Sequence, residues 1–151
     1  MTRRFPALPA LLALSFLSAP ALARNCAVTI EATDMMAFDL KTIRVPGDCA
    51  QLRVTLKHVG RMPAAAMGHN WVLAETRHHR ELGLAGGRMK IGDAYLPRGD
   101  ARVIAHTPVI GGGQSAEVVF PTSRLRKGGD YTFFCSFPGH WNMMKGRLVF
   151  E

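Results

Sequence analysis

The segment FFCSFPGHWNMMKG, residues 133–146, places three side chains that can bind a metal within ten residues of one another. These are the thiol of Cys135, the imidazole of His140 and the thioether of Met144. The dipeptide Pro138-Gly139 between them is typical of a tight turn, which would fold the three side chains back towards one point. One loop is therefore predicted to supply three donor atoms to a single ion.

A fourth donor must come from elsewhere in the chain. The segment MGHNW, residues 67–71, offers His69 at the start of another predicted strand. Gly68 precedes it, and because glycine has no side chain, its carbonyl can approach an ion closely. Zinc sites favour four tight Cys, His or carboxylate ligands, whereas two His and one Cys with a weak Met ligand are typical of blue copper. The sequence favours copper, although the same ligands also hold zinc.

The three cysteines divide into two roles. Cys26 and Cys49 each lie near an edge of the first strand-rich segment and are candidates to pair, which leaves Cys135 single. A single thiol in an oxidising compartment is a liability unless it is buried or bound to a metal. A buried, inert thiol is the alternative interpretation of Cys135, and the spacing to His140 and Met144 favours the metal ligand.

Alternating apolar residues predict an all-β chain. The alternating segments are CAVTIEAT, QLRVTLKH, NWVLAE, AEVVF and GRLVF. Turn residues bound them at 45–48, 58–60, 111–114 and 126–130, so roughly seven or eight short strands in a two-sheet sandwich are expected. One segment differs, since residues 77–85 are predicted to form a short helix that ends at Gly86 and lies outside the sheets.

Residues 1–23 have the three parts of a secretory signal peptide. The positive MTRR is followed by an apolar stretch and by the small-residue site ALA at 21–23. Three prolines interrupt the apolar stretch, whereas a membrane span would need about 20 unbroken apolar residues. We expect residues 1–23 to be cleaved, residues 24–151 to form one domain, and the mature chain to be exported without a membrane span.

The charge of the mature chain bears on its partners. Removing Arg3 and Arg4 leaves 17 basic residues against 11 acids, a net charge of +6. The basic residues are scattered, without a run interleaved with aromatic residues, so nucleic acid is not expected as a partner. A positive field would instead speed encounters with an acidic partner.

Three segments carry a resemblance to a known family, namely GHNWVL at 68–73, RVIAHT at 102–107 and the loop segment at 133–146. They resemble the azurins, the bacterial blue copper proteins of the cupredoxin family, and the likeness extends over the whole mature chain. The resemblance implies an eight-stranded Greek-key β-sandwich with a short helical flap. It also implies a disulfide between Cys26 and Cys49.

The same resemblance implies a type 1 site with one copper ion per chain. Its ligands would be His69, Cys135 and His140, with Met144 and the carbonyl of Gly68 as distant axial contacts. Asn70 is expected to tie the two ligand segments together by side-chain hydrogen bonds, and amides near Phe137 to donate to the thiolate. A stiff frame of this kind suits electron transfer rather than acid or base catalysis.

The resemblance further implies a monomeric periplasmic electron carrier. Its partners would be c-type cytochromes or other periplasmic oxidoreductases such as nitrite reductase. In azurins, partners dock at an apolar patch around the matching surface histidine. Here that patch is expected near Met67, Pro138, Gly139 and His140, with Met36 and Met62 beside it. The sequence departs from the family at Trp141, where azurins usually carry a small polar residue, and the indole would either extend the patch or cover part of it.

Two other classes of function remain open at this point. A module that stores or delivers copper would need exposed, exchangeable ligands, and the enclosed His, His, Cys and Met set argues against it. An enzyme such as a copper oxidase or nitrite reductase would need an open coordination position and usually a second copper centre. A chain of this length lacks the second histidine cluster, so no enzymatic activity is expected.

The remaining histidines and the tryptophan of the GHNWVL segment have simpler interpretations. His58 and His106 are expected to be packed or exposed rather than ligands. His78 and His79 are expected on a solvated helix face beside two arginines. Trp71, in an alternating strand, is expected in the core, where its indole N–H would want a partner.

Overall fold

The computed structural model describes residues 24–151, and these form two β-sheets that face each other. The predicted signal peptide lies outside the described residues. The strands are β1 (Arg24–Thr33), β2 (Ala37–Phe38), β3 (Thr42–Val45), β4 (Cys49–His58), β5 (Val72–Glu75), β6 (Val103–His106), β7 (Ser115–Pro121), β8 (Tyr131–Phe134) and β9 (Lys145–Phe150). The expected all-β sandwich is confirmed, with the two-residue β2 as its shortest strand.

The order of strands is β2-β1-β4-β7 in one sheet and β3-β9-β8-β5-β6 in the other. Strands β1 and β4 run parallel, with Val28 opposite Val54 and Ile30 opposite Leu56. Strand β3 is parallel to β9, whereas β8 pairs antiparallel with both β5 and β9. The chain therefore crosses between the sheets repeatedly, and neighbours in a sheet are often distant in sequence.

The main core lies between the two sheets. In β4, Leu52, Val54 and Leu56 are buried, while the intervening Arg53 is exposed, as the alternation predicts. Phe133 of β8 and other buried residues of the second sheet belong to the same cluster. Trp71 belongs to it too, as expected, and its indole nitrogen has no hydrogen-bond partner among the described residues.

Within residues 24–151, two α-helices lie outside the sheets. Helix α2 (Thr76–Gly86) follows β5 and confirms the helix expected over residues 77–85. It covers a second, smaller apolar cluster that contains its own Leu82 with Leu96 and Phe134. Helix α1 (Ala64–Met67) was not predicted, because its four residues have no amphipathic pattern. No helix within residues 24–151 has the length and apolar character needed to span a membrane.

A disulfide joins β1 to the start of β4. Cys26 and Cys49 are bonded, with their Cα atoms 5.7 Å apart, so the expected pairing is confirmed. Next to this bond, the amide of Arg24 donates to the carbonyl of Asp48 at 3.1 Å. The covalent link therefore reinforces the parallel pairing of two strands that are not joined by a short turn.

Candidate metal centre

The loop between β8 and β9 contains Cys135 and Met144 at its two ends. Cys135 follows the last residue of β8, and Met144 precedes the first residue of β9. Since β8 and β9 pair as Phe134 opposite Lys145, the ends of the loop are held side by side. The amide of Cys135 also donates to the carbonyl of Met144 at 3.0 Å. The sheet thus closes the loop, and both side chains at its base are fully buried.

A tight turn places His140 over this base. The amide of His140 donates to the carbonyl of Phe137 at 2.9 Å, which closes a turn around Pro138 and Gly139. Gly139 has φ +84°, a conformation that a residue with a side chain rarely adopts. The turn expected from the Pro-Gly dipeptide is present, and it directs the chain back so that His140 reaches the sulfur of Cys135.

A second segment brings His69 to the same place. His69 and Ile110 exchange two backbone hydrogen bonds of 3.0 and 2.8 Å. These bonds hold the segment before β5 against the segment between β6 and β7. Just before it, a Cβ atom on Gly68 would lie 2.3 Å from the carbonyl oxygen of Ala64 in α1. Only glycine fits at this position, because the loop turns directly against the end of the helix.

Three side chains converge in the buried centre. The sulfur of Cys135 lies 3.9 Å from Nδ1 of His69 and 3.8 Å from Nδ1 of His140. All three donor atoms lie within 4.8 Å of one another. The carbonyl oxygen of Gly68 is 4.0 Å from the same sulfur. The structure therefore brings together four of the predicted groups, three through their side chains and one through its backbone.

Each of these separations can be spanned by one bound ion. Metal–thiolate and metal–imidazole bonds of about 2.3 and 2.05 Å that meet at about 110–120° hold sulfur and nitrogen roughly 3.6–3.8 Å apart. The two separations here are 3.8 and 3.9 Å. Two imidazoles and one thiolate in a trigonal arrangement are the donor set of blue copper, so the residues fit this ion.

Hydrogen bonding fixes the orientation of the His69 ring. Its Nε2–H donates to the carbonyl of Thr33 at 2.9 Å, which leaves the lone pair of Nδ1 facing Cys135. The ring of His58 stacks on it at a centroid distance of 4.5 Å. His58 donates from Nε2 to the carbonyl of Met67 and accepts at Nδ1 from the amide of Gly60. Its two nitrogens are therefore occupied by backbone groups.

Burial sets the protonation of the metal-free centre. It raises the pKa of the Cys135 thiol to about 12, although the amides of Asn70 and Phe137 oppose this rise by favouring the thiolate. Burial lowers the pKa of His69 to about 4, although the hydrogen bond to Thr33 acts to raise it. Burial also lowers the pKa of His140. At neutral pH both imidazoles are uncharged and can donate lone pairs, whereas the thiol loses its proton only to a bound cation.

Asn70 joins the two ligand segments. Its side-chain oxygen accepts from the amide of Ser136 at 2.9 Å, and its nitrogen donates to the hydroxyl of Ser136 at 2.8 Å and to the carbonyl of Ala94 at 3.0 Å. The Ser136 hydroxyl in turn donates to the Ala94 carbonyl at 2.6 Å. The four bonds lie in a buried region and tie the residue after His69 to the residue after Cys135.

The structure corrects one expectation about the histidines. His106 is exposed, as expected, and His78 is partly exposed on α2. His79 is buried instead of solvated, because its ring faces the core side of α2 against Phe134 and Trp141. Trp141 itself is half-buried, and it packs against His79 of α2 and the apolar cluster that the helix covers.

Comparison with known proteins identifies the family. A family model described as copper binding proteins, plastocyanin/azurin family, matches residues 24–151. The chain belongs to this family. The expected copper cofactor is thereby confirmed, since a copper-binding family coincides with the His, Cys and His group of the centre. Membership also supports the function expected from the sequence, a blue copper electron carrier.

Members of the plastocyanin/azurin family match the chain over most of its length. The azurin of Bordetella pertussis is 50% identical over 131 residues, which are 87% of this chain and 87% of that protein. The azurin of Pseudomonas aeruginosa is 44% identical over 138 residues, 91% of this chain and 93% of that protein. A solved structure of an azurin (Az-iso2) from Methylomonas sp. strain J superposes with a TM-score of 0.80 at 42% identity, covering 83% of this chain and 98% of that one.

Proposed function

We propose that the chain is a blue copper protein that carries single electrons between redox proteins of the periplasm. The observation that carries this proposal is the pair of sulfur–nitrogen separations of 3.8 and 3.9 Å around a buried thiol. His69, Cys135 and His140 would hold the ion, with Met144 and the carbonyl of Gly68 as weaker, more distant contacts. Met144 is fully buried in the same cluster as Cys135, which suits that role.

The residues of the chain hold the centre rather than catalyse a reaction. When bound, copper supplies one-electron redox chemistry through its two valence states. The frame around it resists change, because the β8–β9 pairing closes the ligand loop, Thr33 orients His69, and Asn70 ties the two segments together. Donor atoms held in place in this way would need little reorganisation when an electron arrives or leaves, so single-electron transfer at the centre would be fast. This role requires no enzymatic activity of the chain.

Export to the periplasm follows from the leader. We infer that residues 1–23 are a signal peptide, that cleavage follows Ala23, and that residues 24–151 are the mature, monomeric domain. A Cys26–Cys49 disulfide is consistent with an oxidising compartment. Amino-terminal sequencing of the exported protein tests this inference, with Arg24 as the expected first residue.

Partners would dock where His140 comes closest to the surface. His140 as a whole residue is 4% exposed, and its ring stacks on Phe137 at a centroid distance of 4.5 Å. Pro138 and Gly139, which precede it in the chain, are exposed and Met67 is partly exposed, and these three uncharged residues would form the docking surface. Such a surface suits brief contacts with c-type cytochromes or with oxidoreductases such as nitrite reductase.

The visible spectrum of the copper-loaded protein tests the proposed site. We expect an intense blue thiolate band that reductant bleaches and oxidant restores. Replacing Cys135 by Ser should abolish the band, whereas replacing the exposed His106 by Asn should leave it intact. A copper-loaded Cys135→Ser variant that kept the colour of the unaltered protein would refute the assignment of the ligand.

The same samples distinguish the other classes of function. A colourless protein that loses copper to a mild chelator would indicate storage or delivery instead of electron transfer. Measuring metal content alongside the spectrum separates a zinc-loaded sample from a protein that does not form the site. Electron exchange with periplasmic cytochromes of the source organism then tests the partner class directly.

A further inference from the structure

Helix α2 touches the ligand loop through two of its glycines. A Cβ atom on Gly86 would lie 2.5 Å from the carbonyl oxygen of Ser136, and one on Gly83 would lie 2.4 Å from Cγ of Trp141. Ser136 and Trp141 stand on either side of the predicted ligand His140, at opposite parts of the loop. The backbone of the helix therefore lies directly against the loop, at a distance that only residues without side chains allow.

Gly83 and Trp141 are complementary in shape. Built onto Gly83, a Cβ atom would also lie 2.6 Å from Cδ2 and 2.7 Å from Cβ of Trp141, so the indole covers the helix backbone at this point. A glycine in the middle of a helix is unfavourable compared with alanine. Any side chain at position 83 would displace the indole of Trp141. This close contact explains why a glycine stands in the middle of the helix.

His79 adds a polar contact to the same region. Its Nε2–H donates to the backbone carbonyl of Trp141 at 2.9 Å. Its ring also meets the rings of Phe134 and Trp141 edge-on, at centroid distances of 4.8 and 5.4 Å. One turn of α2 therefore holds both the main chain and the side chain of the residue that follows His140.

Within this half of the loop, the carbonyl of His140 accepts from the amides of Met143 and Met144 at 3.0 and 2.8 Å, but most side chains there face solvent. Pro138, Gly139, Asn142 and Met143 are all exposed. Between these exposed residues, Trp141 is the side chain that enters an apolar cluster, the one beneath α2. Asn70 secures the loop near Cys135 through Ser136, and no such contact from Asn70 reaches the His140 side among the described hydrogen bonds.

We propose that His79, Gly83 and Trp141 form a brace that positions His140 by fixing the ligand loop to α2. These are positioning residues, which act on the centre through His140 rather than by touching the ion. The consequence for copper rests on the function proposed above. The brace itself is a contact within the protein and is present without a metal, so the two can be tested separately.

The test is a double-mutant cycle with Gly83→Ala and Trp141→Ser. In the unaltered background, Gly83→Ala should lower the melting temperature, because the new methyl group displaces the indole. In the Trp141→Ser background the same change should be neutral or should raise the melting temperature, because the space is open and alanine favours the helix. Gly87→Ala is the matched control, since its Cβ atom would meet only the carbonyl oxygen of Leu84, at 3.7 Å.

Two measurements separate positioning from general stability. In the metal-free protein, Trp141→Ser should speed amide hydrogen exchange at residues 140–144 by at least about tenfold while the β4 amides stay protected, because local opening becomes easier there alone. In the copper-loaded protein, it should speed the loss of copper to a chelator and shift the reduction potential. Gly83→Ala should change the same quantities in the same direction, and Gly87→Ala should change none of them.

Two results would refute the brace, and a third would refute the proposed function. If Gly83→Ala shifts the melting temperature equally in both backgrounds, Gly83 and Trp141 do not act as a pair and the brace is refuted. If loop exchange, copper loss and potential all stay unchanged in Trp141→Ser, the indole only fills space and does not position His140. If instead the unaltered protein shows no blue band, the proposed function fails, while the exchange and melting measurements on the metal-free protein still decide the brace.

Discussion

Asn70 and Ser136 are joined by two hydrogen bonds, of 2.9 Å to the Ser136 amide and 2.8 Å to its hydroxyl. Sixty-six residues separate them in sequence, and both are fully buried. Each directly follows a predicted copper ligand. The two bonds therefore fix the position of one ligand segment relative to the other. Bonds of this kind around a metal centre set the orientation of its ligands.

Replacing Asn70 by Ala should destabilise the protein while leaving copper bound. The Ser136 amide would lose its partner in a buried place, which costs about 1–3 kcal/mol of unfolding free energy. The reduction potential should shift, because the Cys135 segment is no longer tied. Denaturant unfolding of the metal-free protein and voltammetry of the loaded protein measure the two effects.

Ser136→Ala is the matched control for this variant. It removes the hydroxyl bonds but keeps the amide bond to Asn70, so its effects should be smaller in both measurements. An unchanged potential in Asn70→Ala would show that the residue supports only folding and does not influence the centre.

The metal-free protein should lose stability as the pH falls from about 6.5 to about 4. The pKa of His69 is lowered from 6.5 to about 4 by burial, so the unfolded chain binds a proton in this range more readily than the folded chain. The contribution of this group to the free energy of unfolding is therefore present above pH 6.5 and declines below it, by about 3 kcal/mol at pH 4. The lowered pKa values of His140 and His79 act in the same direction.

Urea unfolding at several pH values measures this dependence. His69→Gln should flatten it, and His106→Gln, which alters an exposed histidine, should not. A stability that stayed constant between pH 6.5 and 4.5 would contradict the assignment of buried, neutral imidazoles.

Removing the disulfide should lower stability without altering the metal centre. Cys26 and Cys49 are 23 residues apart, and a loop of this size is worth about 3 kcal/mol in the chain-entropy account. The double variant Cys26→Ala and Cys49→Ala should therefore unfold at a lower denaturant concentration. Its blue band should match that of the unaltered protein, and a bleached or shifted band would mean that the disulfide supports the centre.

A charge placed in the docking surface should slow electron exchange. Met67 is partly exposed and belongs to the docking surface proposed around His140, so a lysine there would add a charge that a partner must desolvate. We expect Met67→Lys to reduce the exchange rate with a c-type cytochrome by about tenfold, an effect of the size found for central contact residues. The spectrum and the potential should not change.

Val119→Lys provides the control for this charge. Val119 is 42% exposed on β7, in the other sheet, so the substitution adds the same charge away from the ligand loop. Equal slowing by both variants would point to the net charge of the protein and against a docking site at Met67.

Much of the metal centre could be predicted because most of its residues lie close together in the sequence. Cys135, His140 and Met144 stand in one loop, and the Pro138-Gly139 pair dictates a turn through the conformations that proline and glycine prefer. The strands follow from alternation, as Leu52, Val54 and Leu56 show, and α2 follows from its composition and its terminal glycines. In each case the pattern acts over a few residues and needs no knowledge of the rest of the chain.

Other features depend on which distant segments meet, and only the tertiary structure decides that. Neighbouring helix residues such as His78 and His79 point about 100° apart, so the sequence does not tell which one is buried until α2 packs on Phe134. Nor does it tell that Gly83 faces Trp141. The sequence by itself determined the donor types, their spacing in the loop and the alternation of the strands. The packing of two sheets and a helix decided that His69 lies 3.9 Å from the Cys135 sulfur, because contacts between distant segments arise only when the whole core forms.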